Sequence, residues 1–83
     1  YIRYFMKRID RFRIVLKQLR KEKGFTQEKF AEKSSIDSKY YWRIEKGLSI
    51  PTINKMDGIY DALNLTSEEF WREVENCEKI NKK

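Results

Sequence analysis

Residues 26–47, TQEKFAEKSSIDSKYYWRIEKG, decide the fold. They read as two short helices joined by a tight turn, the second ending at Gly47. Thr26 suits an N-cap, because its hydroxyl can accept a free backbone N–H of the first turn. Gln27 and Glu28 open the first of the pair, and Phe30 and Ala31 face inward. Ser34 and Ser35 break the helical pattern, Ile36 returns to the core, and Asp37 caps the second helix. On a wheel of ~100° per residue, Tyr41 and Ile44 fall with Ile36 on one side of that helix. Lys39, Trp42, Arg43 and Lys46 fall on the other, with Ser38 and Tyr40 on the flanks. One face anchors the helix and the other offers cations and an aromatic ring to an anionic surface.

Outward from this stretch, the same local rules find three more helices. The first is expected from Asp10, as N-cap, to about Lys23, with Gly24 as the stop. Phe12, Leu16 and Leu19 form its inward stripe, and Ile14 and Val15 fall beside it. After Gly47 the segment Leu48–Pro51 reads as a loop, and a helix begins near Thr52, since proline is tolerated at a helix entrance. Ile53, Met56, Ile59, Tyr60 and Leu63 recur there at helical spacing. Gly58 costs that helix about 1 kcal/mol relative to Ala, which a close crossing would justify. Asn64 suits a left-handed stop. Thr66 and Glu69 make a capping box for a last helix reaching about Ile80, where Phe70, Val74 and Cys77 recur at helical spacing with Trp71 beside them and Phe70 faces inward.

The expected architecture is all-α: a compact five-helix bundle around a central helix-turn-helix, with an extended C-terminal helix. Residues 10–80 form the domain, residues 1–9 an N-terminal arm or tail, and residues 81–83 a fraying end. The alternation in Tyr1-Ile2-Arg3-Tyr4 suits a short strand or a disordered tail. The chain opens without Met, so either Met6 is a natural start or the sequence is truncated.

Composition narrows the function. The chain has 83 residues, no histidine and one cysteine, Cys77. That removes the Ser-His-Asp triad, histidine acid–base chemistry, a Cys/His zinc site and an internal disulfide. No enzyme activity, metal, cofactor or small-molecule ligand is expected. No apolar run approaches the ~20 residues that span a bilayer, so no membrane partner is expected. A lone cysteine fits a reducing, cytoplasmic setting. The net charge of +6 is uneven. Tyr1–Lys23 holds nine basic and two acidic residues, a balance of +7, whereas Pro51–Lys83 holds five against seven, or −2. Such asymmetry suits either a polyanion partner or a solvated basic helix.

Thr26-Gln27, Phe30-Ala31, Ile36, Tyr40-Tyr41 and Arg43-Ile44-Glu45-Lys46-Gly47 resemble the helix-turn-helix of the Cro and phage-repressor family, over about Phe12 to Trp71. The resemblance implies a dimeric regulator that inserts helix 37–46 into the major groove of a palindromic operator in double-stranded DNA. Ser38, Lys39, Trp42 and Arg43 are then the base-contacting residues. Arg43 can pair with guanine O6 and N7, and Lys39 can reach the same acceptors. For Trp42, a thymine methyl, surface packing and a dimer contact stay open. Gln27, Tyr40, Lys46 and Thr52 are the candidate phosphate contacts, against solvated side chains. The resemblance also implies a buried ion pair between Arg20 and Glu45, both of which border core faces. Trp71 or Val74 is expected at a homodimer contact. Within the family the chain looks most like the small restriction–modification controllers. Two departures stand out. Ser35 occupies a turn position that is usually Gly, which favours a turn of different geometry, and Tyr41 is bulkier than the usual aliphatic. The competing reading is a protein-interaction module, or an antitoxin-type partner binder, on the same fold.

Overall fold

The computed structural model of the chain describes residues 7–77. Its helices are α1 Arg8–Glu22, α2 Gln27–Lys33, α3 Ser38–Lys46, α4 Ile53–Leu63 and α5 Ser67–Asn76. The expected strand or tail at residues 1–4, the reach of the last helix to Ile80 and the tail 81–83 lie outside the described residues.

Most helix ends follow their caps. The Thr26, Thr52 and Thr66 hydroxyls accept the N–H of Lys29, Lys55 and Glu69, at 3.1, 3.2 and 3.1 Å. The Glu69 carboxylate reaches back to the Thr66 N–H at 2.9 Å, completing the capping box. The Asp37 carboxylate accepts from the N–H groups of Lys39 and Tyr40 at 3.1 and 3.3 Å. Gly24 and Asn64 stop α1 and α4 in left-handed conformations, φ 81° and 59°. The start of α1 differs from the expectation. Lys7 is its N-cap, and Asp10 sits three residues inside, its carboxylate 3.3 Å from the Lys7 N–H. An acid in the first turn satisfies a free N–H and the helix dipole as well as a cap would. Arg8 and Ile9 therefore belong to α1, and Ile9 packs on the core.

The turn between α2 and α3 keeps a left-handed residue, and Ser35 supplies it at φ 59°. The expectation of a different turn is corrected. The Ile36 N–H donates to the Ala31 carbonyl and the Ser34 N–H to the Phe30 carbonyl, each at 2.9 Å, and both residues are buried, so both flanks hold Ser35 in place. The strain is about 1 kcal/mol. Gly58 is explained by the same region. A Cβ there would stand 2.1 Å from the Ser34 carbonyl oxygen, so α4 crosses the end of α2 backbone to backbone.

The core draws on every helix: Phe12, Val15 and Leu16, Phe30 and Ala31, Tyr41 and Ile44, Ile59 and Leu63, Phe70, Val74 and Cys77. Val15 joins it, while Leu19 stays at its edge. Ile53 is 83% exposed, against the expected stripe. It lies ~90° around α4 from the centre of the Met56–Ile59–Leu63 face. α5 closes the bundle on α1. The Phe12 ring meets Phe70 edge-on at 5.8 Å and stacks on Trp71 at 5.7 Å, and the Trp71 indole N–H donates to the Tyr60 hydroxyl at 2.9 Å. Val74 is wholly buried in the single chain. It is filled by its own core and cannot supply the surface contact expected of it.

Candidate nucleic-acid interface

α3 is fixed from behind by one carboxylate. Glu45 lies on the inner edge of α3, and Arg20 reaches it from α1, Nε at 2.6 Å from Oε2 and Nη2 at 3.2 Å from Oε1. Gln27, the first residue of α2, donates its Nε2 to Oε1 at 2.9 Å, and the Tyr41 hydroxyl donates to Oε2. The third nitrogen of the Arg20 guanidinium donates to the Phe25 carbonyl at 2.7 Å. Arg20 and Glu45 are both buried. Burial works against the Glu45 carboxylate, but hydrogen bonds from Arg20, Tyr41 and Gln27 and the Arg20 charge outweigh it and hold its pKa below the usual range. Burial and the bond to Glu45 push the Tyr41 phenol well above its ordinary value. Four donor hydrogens on one carboxylate thus tie α1, α2 and α3 together.

The Tyr41 hydroxyl was not singled out from the sequence. The signal was its spacing, four residues before Glu45, which puts the two on one helix face. The bulk of Tyr41 serves that hydroxyl: the ring fills the core against Phe30, with centroids 5.3 Å apart, while the oxygen reaches the carboxylate.

The outer side of α3 carries the expected reading residues. Ser38, Lys39, Trp42, Arg43 and Lys46 are all exposed. Lys46 Nζ lies 5.4 Å from the Trp42 ring centroid, a cation–π pair that places both side chains together. Arg43 Nε donates to the Ser49 hydroxyl at 3.1 Å, so the loop after α3 aims the guanidinium and leaves its outer nitrogens to donate elsewhere.

The phosphate candidates divide. Gln27 commits one of its two amide hydrogens to Glu45. The Thr52 oxygen accepts from Lys55 and keeps its own proton to donate. Tyr40 spends its single proton on the Ile50 carbonyl at 2.9 Å. There it braces the loop after α3. Ser49 and the Ile50 carbonyl, which hold Arg43 and Tyr40, had no signal in the sequence. Loop partners are set by where the chain folds back.

The helix-turn-helix family pattern matches residues 16–70. An uncharacterized HTH-type transcriptional regulator of Bacillus subtilis (strain 168), YqaF, is 38% identical over 68 residues, covering 82% of this chain and 90% of that protein. The control protein C.MunI of Mycoplasma sp is 36% identical over 66 residues, with coverage of 78% and 89%. Among solved structures, the wild-type restriction-modification controller protein C.Esp1396I superposes with a TM-score of 0.78 at 30% identity, covering 84% of this chain and 90% of that one. The tetramer of the same controller in complex with its natural 35 base-pair operator gives a TM-score of 0.78 at 29% identity, with coverage of 87% and 95%.

Proposed function

This chain belongs to the helix-turn-helix family, and we propose that it works there as a sequence-specific double-stranded DNA-binding regulator of transcription. The observation that carries the reading is the asymmetry of α3. Its inner edge is locked by the buried Glu45 network, and among the described residues its outer face leaves Ser38, Lys39, Trp42 and Arg43 exposed. A major groove ~12 Å wide admits one such helix. Ser38 and Lys39, at the α3 N-terminus, enter deepest, and Arg43 offers its two outer nitrogens to guanine O6 and N7. Gln27, Lys46 and Thr52 flank that face and hold phosphates, which set register rather than sequence. The controller that superposes on this chain was captured on operator DNA, which supports the same mode of action here in the cytoplasm.

One α3 covers few base pairs, so the protein acts as a homodimer on a two-fold symmetric operator, with half-sites ~34 Å apart. In vitro selection of bound duplexes from a random pool tests this reading. Arg43→Ala is expected to cost ~1–3 kcal/mol on the selected site and to relax one base position. An unchanged consensus would show that α3 is docked differently. A protein-docking role would draw instead on the exposed Leu48, Ile50 and Ile53. It predicts binding to duplex DNA that barely responds to salt, whereas phosphate contacts make log affinity fall steeply with log salt.

A further inference from the structure

A second cationic surface lies beside α3. Arg13, Lys17 and Lys21 stand four residues apart along α1, on one face and ~6 Å apart in rise. With Lys46 at the end of α3 they line a groove of about 640 Å³, and Gln18 and Gln27 add amide donors. Among the described residues, no carboxylate pairs with Lys17 or Lys21. Glu45 also borders the groove, but its charge is matched by Arg20. Like charges at this spacing disfavour a helix, which a polyanion in the groove would offset. The surface is also continuous with the reading face. Lys46 belongs to both, since its ammonium lies over Trp42, and the Arg13 stem lies across Gly47, where an added Cβ would stand 3.1 Å from Arg13 Cδ.

We infer that this groove seats the DNA phosphate backbone alongside the half-site read by α3, through Arg13, Lys17, Lys21 and Lys46. The inference rests on the DNA-binding reading and adds α1 to the contact surface. It assigns a use to the basic first quarter of the chain, which α3 leaves without one. These contacts carry affinity and no base information, so the selected consensus does not depend on them.

The test is a salt series on the duplex recovered by selection, comparing wild type with the Lys17→Gln/Lys21→Gln double variant. Both side chains are exposed, and thermal unfolding checks that the fold is kept. Each lost phosphate contact makes the slope of log affinity against log salt shallower by ~0.9, so the double variant is expected to lose ~1.8. A charge-matched control, Lys33→Gln/Arg72→Gln, lies off the groove and is expected to keep the wild-type slope. The groove assignment is overturned if the double variant keeps that slope, or if the control loses as much. Wild type that binds a selected duplex with an unaltered double variant sinks only the groove. Wild type that binds no duplex in a salt-dependent way sinks the DNA reading with it.

Discussion

Glu45 is the residue on which the reading helix depends. Its carboxylate takes hydrogens from Arg20 on α1, Gln27 on α2 and Tyr41 on α3, so removing it strands a buried guanidinium and frees three helices at once. Glu45→Ala is therefore expected to lose ~3–5 kcal/mol in denaturant unfolding, and a loss of a few tenths would contradict the network. The pH dependence follows from the same atoms. The folded Glu45 pKa is depressed, so its stabilisation is present above the ordinary carboxylate pKa and is lost as pH falls through the folded value. Tyr41 acts at the other end. Its folded pKa is raised, so its contribution is whole below ~10, where an unfolded tyrosine ionises, and is lost as pH rises beyond that. Unfolding free energies between pH 9 and about 11 are expected to fall in wild type and to flatten in Tyr41→Phe. Resemblance to the family pointed to Arg20 and Glu45. Tyr41 had a signal in its four-residue spacing from Glu45, but Gln27 as a fellow donor was not legible, because its meeting with that carboxylate is a matter of distance in space.

At the scale of elements, local chemistry predicted nearly every boundary. Thr26, Asp37, Thr66, Gly24 and Asn64 each act within a few residues of themselves, so their effect can be read without knowing the neighbours. Two of the element-level errors have a common source. Asp10 serves as a third-position partner to Lys7 instead of a cap, and Ile53 follows the helical pattern yet points ~90° off the buried face of α4. Both depend on where a helix lies against the rest. Gly58 belongs to this scale too. By propensity alone, Gly58→Ala should gain ~1 kcal/mol. The Ser34 carbonyl 2.1 Å from the added Cβ reverses that, since backbone must move. A net loss of ~1–3 kcal/mol is expected in thermal or denaturant melts, and a stabilised variant would show that α4 can slide away from α2.

For the whole molecule, charge and burial place the surfaces. α1 carries Arg13, Lys17 and Lys21, which line the groove beside α3, whereas α4 and α5 carry six acidic residues against two basic ones. A homodimer on a two-fold operator is expected to appear as concentration-dependent sedimentation and as mirrored half-sites ~34 Å apart in the selected pool. A pool of single, asymmetric sites would count against it. The number of helices, their faces and the exposed residues of α3 were legible in the sequence. They arise from hydrogen bonds and side-chain periodicities spanning three or four residues, which a chain carries wherever it goes. Folding in three dimensions settled the rest. It sealed Val74 in its own core, committed the Tyr40 proton to Ile50, left Arg43 aimed by Ser49, and brought Gln27 and Arg20 to Glu45 from 18 and 25 residues away. Those outcomes rest on which distant atoms meet, and spacing along a chain does not encode that distance.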